Sequence, residues 1–154
     1  MAAPVVTAEM FIRRPVAEVF AAFVDPAVTT KFWFTRSSGP LAAGNQVEWF
    51  WDMYGVSALV EVKAVEPNRR ILVEWGDPGQ MTTVEWTFQD FGDRGTFVRI
   101  TNSGFEGSPD ELLALVADSA GGFHLVLAGL KAWLEHGIQL NLVGDKFPDE
   151  VRSA

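Results

Sequence analysis

Apolar and polar residues alternate in five segments between residues 46 and 102, and this two-residue period restricts the folds open to the chain. In one segment, for example, Val84 and Trp86 flank Glu85. Successive side chains of a strand point to opposite faces of its sheet, so each segment predicts a strand with one apolar face. Gly, Pro, Asn and Asp separate the segments, as in short turns. The pattern therefore predicts a five-stranded antiparallel meander with one face in the core and one in solvent.

The residues before this meander predict one further strand and two short helices. Residues 5–14 are rich in β-branched and apolar side chains, which favours a strand. Pro15 suits the first turn of a helix, and apolar residues then recur at the spacing of one helical face up to Asp25. Residues 27–34 are interpreted as a second short helix. The sheet is therefore expected to have about six strands.

A long helix is predicted in the last third of the chain. Ser108 and Glu111 have the spacing of a capping box, which marks a helix N-terminus. Apolar residues recur on one helical face over residues 123–134, and Gly137 is suited to end the helix. Residues 121–122 are both glycine, which predicts a kink or an interruption.

A single domain is expected over residues 1–154, because the chain has the length of one typical domain and shows neither a repeat nor a linker. Its core would span residues 5–137. Residues 138–154 show no clear period and are expected to form a partly ordered tail.

Together these elements predict an α+β fold in which a curved antiparallel sheet wraps around the C-terminal helix. The apolar face of that helix must be buried, and the apolar face of the sheet is the only large partner available. A concave gap commonly remains in such an arrangement, and apolar clefts are where small ligands usually bind. Eleven residues are predicted to line this gap: Phe20, Trp33, Trp49, Trp51, Val60, Val84, Trp86, Phe88, Asn102, Phe123 and Leu127.

The aromatic content supports a gap of this kind. Six Trp and twelve Phe exceed what a small interface between one sheet and one helix needs. Trp49 and Trp86 are expected to face the gap, so their replacement by alanine should cost less stability than the loss of a core tryptophan. Three polar residues, Tyr54, Thr82 and Asn102, are expected to enter the gap as well.

Charge and composition exclude several classes of partner and site. Twelve Lys and Arg against twenty Asp and Glu give a formal net charge of −8, which disfavours nucleic acid and anionic membrane surfaces. Without Cys the chain has no disulfide and no thiolate nucleophile or metal ligand. The N-terminus lacks the features of a signal peptide, and no apolar run is expected to reach the roughly 20 residues of a membrane span. The expectation is a cytoplasmic protein.

Candidate catalytic and metal-binding motifs are weak. His124 and His136 would lie about 120° apart around one helix, too far to share a metal ion. Ser119 sits in a sequence similar to a nucleophile elbow, but a helical run precedes it where that motif needs a strand. Most of the acidic residues of the meander fall on its solvent face. The sequence therefore predicts no catalytic residue, no metal site and no cofactor.

Four segments resemble a known family. They are RPVAEVF at residues 14–20, FWF at residues 32–34, TNSGF at residues 101–105, and the pattern of apolar and charged residues over 122–137. Their order and spacing are similar to the START-like helix-grip superfamily, in the branch named after the activator of Hsp90 ATPase. The resemblance covers residue 8 to about residue 137 and implies the helix-grip fold. Phe123 stands where that branch usually has Trp.

The resemblance implies a range of functions, since the superfamily includes lipid carriers, hormone receptors, polyketide cyclases and chaperone activators. The leading hypothesis is non-enzymatic binding of a hydrophobic or aromatic small molecule between the sheet and the C-terminal helix. One alternative is a chaperone-associated module of the stress response that uses its acidic exterior. Another is a polyketide cyclase-like enzyme. A monomer or a weak homodimer is expected.

Overall fold

The computed structural model describes residues 3–152, so residues 1–2 and 153–154 of the expected domain and tail lie outside it. The strands are β1 (Val6–Ile12), β2 (Arg36–Ser37), β3 (Gln46–Trp51), β4 (Val56–Glu66), β5 (Arg70–Gly76), β6 (Thr82–Asp90) and β7 (Thr96–Ser103). The helices are α1 (Val16–Val24), α2 (Pro26–Thr29), α3 (Pro109–His136), α4 (Leu142–Lys146) and α5 (Asp149–Arg152), with a 3₁₀ turn at Gly92–Arg94.

The strands form one open antiparallel sheet in the order β1-β7-β6-β5-β4-β3-β2. This confirms the α+β class and the meander. The sheet has seven strands among the described residues, not six, because β2 pairs two residues with Phe50 and Trp49 of β3. A two-residue strand is too short to show an alternating pattern. The predicted second helix is also shorter than expected and ends at Thr29.

The alternation along each central strand places one set of side chains in the core. On β6, Val84, Trp86 and Phe88 are buried, whereas the residues between them are partly exposed. The same face of β5 contributes Ile71 and Val73. The second half of α3 packs on this buried face.

Helix α3 begins and ends where the sequence predicts. The Ser108 hydroxyl accepts a hydrogen bond from the Glu111 N–H at 3.2 Å, and the Glu111 carboxylate accepts one from the Ser108 N–H. Gly137 follows the last turn with a φ of 66°, the left-handed conformation that glycine adopts without strain. The predicted interruption at residues 121–122 is wrong, since α3 continues through both glycines. Packing of the flanking turns outweighs their low helix propensity.

The two halves of α3 have different surroundings. Its five buried residues, Phe123, Val126, Leu127, Gly129 and Leu130, all lie in the second half. Gly129 lets the helix approach the chain closely, because a Cβ there would lie 3.1 Å from the Cβ of Phe32. The first half rises away from the sheet and leaves space beneath it.

The apolar composition of α3 differs from the expectation that no run is long enough to span a membrane. The helix contains an 18-residue window with a mean hydropathy of 1.6, long and apolar enough to do so by length and composition alone. The core helix of a globular domain meets the same criterion, and α3 packs its second half on the sheet.

Leu130→Asp is expected to unfold the protein or to cost several kcal/mol, because Leu130 is fully buried and an aspartate there would be an unpaired buried charge. Leu113→Asp is the matched control on the same helix. Leu113 is 71% exposed, so the substitution should change the free energy of unfolding by only about 0.5 kcal/mol. Urea denaturation of the two variants measures both values, and equal stabilities would show that the second half of α3 is not in the core.

Hydrogen bonds of two charged side chains, Lys131 and Glu135, connect the end of α3 to the end of β1. The Glu135 carboxylate accepts hydrogen bonds from the Arg13 N–H at 2.9 Å and from Lys131 Nζ at 2.7 Å, and Lys131 also donates to the Phe11 carbonyl at 2.8 Å. Partial burial by itself raises the pKa of Glu135. The hydrogen bonds from Arg13 and Lys131 lower it by a larger amount, so the pKa of Glu135 lies below its ordinary value of 4.5. The carboxylate is thus more stable in the folded protein than in the unfolded chain.

The stability contributed by Glu135 should depend on pH. A group whose pKa falls on folding stabilises the protein above its unfolded pKa, and this contribution is lost as the pH falls through the folded pKa. Glu135→Gln should therefore lower the free energy of unfolding by about 1.5–3 kcal/mol at neutral pH, and by much less near pH 3. Urea titrations at both pH values test this. A deficit of the same size at both would contradict an ionised Glu135 as its source.

Candidate functional site

A cavity of about 1130 Å³ lies beneath the first half of α3, between that helix and the strand ends of the buried sheet face. Its volume lies slightly above the roughly 300–1,000 Å³ typical of small-molecule sites. The sheet contributes residues at one end of β3 to β7, where Trp75 of β5 pairs with Thr82 of β6. At the other end of the buried face, Phe20 and Phe23 of α1 pack against Phe88.

Aromatic rings form much of the cavity wall. Trp33, Trp51 and Trp75 contribute from the chain after α2 and from two strands, Phe105 from the loop after β7 and Phe123 from α3. The Trp75 and Phe123 ring centroids are 5.7 Å apart, and those of Trp51 and Trp75 are 6.2 Å apart. Trp51 and Trp75 are half-buried, so each presents part of its ring to the open space. Such walls suit a flat apolar ligand.

Four of the eleven residues predicted to line the gap do line this cavity: Trp33, Trp51, Asn102 and Phe123. The structure places the other seven in the packed core: Phe20, Trp49, Val60, Val84, Trp86, Phe88 and Leu127. The three polar residues expected to enter the gap, Tyr54, Thr82 and Asn102, all lie on the cavity wall. The contribution of these wall residues to binding stays a prediction.

Trp49 and Trp86 do not face the cavity, contrary to expectation, because aromatic side chains from outside the meander cover them. The Phe34 ring stacks on Trp49 with centroids 4.8 Å apart. The ring centroids of Phe23 in α1 and of Trp86 are 5.9 Å apart, and the Trp33 ring packs against both Trp49 and Trp86. Trp49 is 1% exposed and Trp86 is fully buried. Both tryptophans are therefore core residues.

One polar cluster interrupts the apolar wall. Asn102 Nδ2 donates to Thr82 Oγ1 and to the Thr83 carbonyl, each at 2.9 Å. Trp75 Nε1 donates to Thr82 Oγ1 at 3.1 Å, and Ser119 Oγ donates to Asn102 Oδ1 at 2.8 Å. Ser119 thus ties α3 to the sheet across the cavity, and it lies within an unbroken helix instead of the predicted break.

The C-terminal residues close one side of the cavity, and the described part of the expected tail contains the short helices α4 and α5. The Tyr54 hydroxyl donates to the Val143 carbonyl, and the Tyr54 and Phe147 rings meet edge to face at 6.5 Å. Val143, Lys146 and Phe147 all line the cavity. The sequence gives little sign of this, since these short helices carry no periodic pattern.

The charged residues of the cavity wall lie at its exposed part. Glu106, Glu111 and Asp118 contribute three carboxylates, and Lys146 contributes one ammonium group. Within residues 3–152 no group of three or more His, Asp or Glu is arranged to hold a metal ion. The wall thus combines an apolar interior with a mainly acidic rim.

A family comparison identifies the origin of this architecture. The model of the activator of Hsp90 ATPase homolog 1-like proteins matches residues 13–135, which include most of the sheet and nearly all of α3. The chain belongs to this family. The match confirms the resemblance seen in the sequence. No curated protein sequence matches the chain significantly.

Solved structures share the fold over most of the chain. Protein SSP2350 from Staphylococcus saprophyticus is 26% identical, with 89% of this chain and 96% of that chain covered and a TM-score of 0.75. DynU16, a putative protein in the dynemicin biosynthetic locus, is 25% identical, with 88% and 48% covered and a TM-score of 0.72. The Aha1 dimer from Colwellia psychrerythraea is 19% identical, with 87% and 98% covered and a TM-score of 0.72. This last likeness shows the fold alone.

Proposed function

We propose that this protein binds a hydrophobic or aromatic small molecule in the cavity between the sheet and α3, without catalysing its conversion. The observation that carries the proposal is the aromatic wall around about 1130 Å³ of open space. Half-buried Trp51 and Trp75 side chains gain favourable contacts when a ligand replaces water against their rings. A single polar cluster would then orient the ligand, as in most small-molecule sites.

The charge of the cavity rim favours a neutral ligand over an anionic one. Three carboxylates and one ammonium group surround the exposed part of the wall, and the whole chain carries a formal net charge of −8. A fatty acid carboxylate would enter against this field. A neutral ring system would not.

Membership of the family supports a binding role and leaves the partner open. We place the protein in the cytoplasm as a monomer or weak homodimer. The dimeric Aha1 structure motivates the homodimer alternative. The relative from a biosynthetic locus supports a role in handling small molecules, and the Hsp90-activator family description keeps a chaperone partner as the main alternative.

Titration with 1-aminoanthracene, an uncharged aromatic probe at neutral pH, tests the proposal. Binding should raise the probe fluorescence, saturate at one probe per chain and quench tryptophan emission, because three indoles lie on the wall. Native mass spectrometry of the purified protein should also detect any retained ligand. Absence of saturable binding would contradict the proposal. Stimulation of an Hsp90 ATPase without probe binding would favour the chaperone alternative, and turnover of a polyketide would favour the enzyme.

A further inference from the structure

The hydrogen-bond cluster in the cavity wall fixes the positions of its own hydrogens. The Thr83 carbonyl can only accept, so the atom of Asn102 that lies 2.9 Å from it must be the amide nitrogen. The second hydrogen of that nitrogen points to Thr82 Oγ1, also at 2.9 Å. Asn102 Oδ1 therefore faces Ser119 and accepts the hydrogen of its hydroxyl. Asn102 is 2% exposed, which makes this orientation costly to change.

Thr82 receives two hydrogen bonds in this arrangement. An indole N–H can only donate, so Trp75 Nε1 donates to Thr82 Oγ1 at 3.1 Å, beside the bond from Asn102. A hydroxyl oxygen has two lone pairs, and both are occupied here. Only the hydroxyl hydrogen of Thr82 then remains available for a further hydrogen bond. No hydrogen bond found within residues 3–152 has this hydroxyl as its donor, since both of its bonds are accepted, and Thr82 lies on the cavity wall.

We propose that the Thr82 hydroxyl donates a hydrogen bond to an acceptor oxygen of the bound ligand. This rests on the proposed binding function and narrows it to one ligand class, a neutral flat aromatic molecule that carries a carbonyl group. An aromatic hydrocarbon that displaced water from the wall would leave the Thr82 hydrogen unpaired, which is unfavourable. A carbonyl oxygen satisfies it without bringing negative charge to the acidic rim.

The pair 9-fluorenone and fluorene tests this assignment, because both have the same fused three-ring carbon frame and only fluorenone carries a carbonyl oxygen. The dissociation constants of both are measured for the wild type, for Thr82→Val and for Thr82→Ser. Thr82→Val should reduce the preference for fluorenone over fluorene by about 3- to 10-fold. Thr82→Ser keeps the hydroxyl and should hold the preference within about twofold of the wild type.

The valine variant removes the donor without offering another. Its additional methyl group takes the place of Oγ1, so a ligand oxygen cannot reach the N–H groups of Trp75 and Asn102 that point there. If this variant does not fold, the wild type alone provides the test. The carbonyl stretching frequency of fluorenone bound to it is measured by infrared spectroscopy. A hydrogen-bonded carbonyl absorbs at lower frequency than fluorenone in a hydrocarbon solvent, and an unshifted band would overturn the proposal.

The binding function and the Thr82 assignment are tested by different outcomes. If neither probe binds the wild type, the proposed binding function is wrong and the Thr82 assignment falls with it. If both probes bind and Thr82→Val leaves their relative affinity unchanged, the cavity binds apolar ligands but Thr82 is not the donor. A preference that falls in Thr82→Val and persists in Thr82→Ser supports both.

Discussion

Trp86→Ala should lower the free energy of unfolding by about 3–5 kcal/mol, as expected when a fully buried tryptophan is truncated. Phe23 and Trp33 pack against the Trp86 ring, with centroids 5.9 and 6.0 Å away, and the space left by the indole would remain enclosed between them. Trp49→Ala should have a similar cost, because the Phe34 ring stacks on it. Urea denaturation monitored by circular dichroism measures both values.

Trp51→Ala is the matched control, with an expected cost of about 1–2 kcal/mol. Trp51 lies half-buried on the cavity wall, so its truncation enlarges a space that is already open. Trp86→Phe is a second control. Trp86 Nε1 is a buried donor without a partner among the described residues, so phenylalanine keeps much of the ring packing and removes that unpaired group. Equal losses for Trp51→Ala and Trp86→Ala would contradict the division between wall and core.

Gly122→Phe should raise the dissociation constant of a neutral aromatic probe by about tenfold or more, which corresponds to about 1.4 kcal/mol of binding free energy. Gly122 lies on the cavity wall, and a Cβ built there has no atom within 4 Å. A phenylalanine ring can therefore occupy ligand space without displacing the protein. Because glycine is the less favourable residue inside a helix, the variant should be at least as stable as the wild type.

Gly121→Phe provides the control at the adjacent position. Gly121 does not line the cavity, and a Cβ there would meet only the end of the flexible Lys146 side chain, at 3.4 Å. The replacement of glycine by phenylalanine changes the helix propensity in the same way at both positions. An effect on stability that the two variants share therefore cancels when their probe affinities are compared. The control should bind the probe with nearly wild-type affinity. Weak binding by both variants would mean that α3 as a whole, and not the filled cavity, determines affinity.

The order of the large elements could be predicted from the sequence because local patterns determine it. The two-residue period over residues 46–102 reflects a sheet with one buried face, and the capping box at Ser108 and Glu111 marks the start of α3. The elements that lack such patterns were not predicted. Strand β2 has two residues, and the helices after Gly137 are too short to show a period.

The cavity was harder to predict because alternation assigns a face of the sheet and not a position along it. Trp49 and Trp51 share the buried face, yet only Trp51 reaches the cavity, while the Phe34 ring stacks on Trp49. Contacts between distant segments decide this difference. Trp75 could have been found, because it continues the Ile71 and Val73 alternation onto the same face. Ser119 could not, since its role depends on facing Asn102 across the cavity.

The six indole N–H signals in a ¹H–¹⁵N NMR spectrum offer the most direct test that a ligand occupies this cavity. Three of the six tryptophans lie on its wall, Trp33, Trp51 and Trp75, and the other three, Trp49, Trp86 and Trp133, do not. Titration with 9-fluorenone should shift the signals of the first set most, with Trp75 included because its N–H belongs to the Thr82 cluster. Trp133, whose ring lies against Lys31, should not shift. Shifts concentrated on Trp133, or no shifts at saturating ligand, would contradict binding in this cavity.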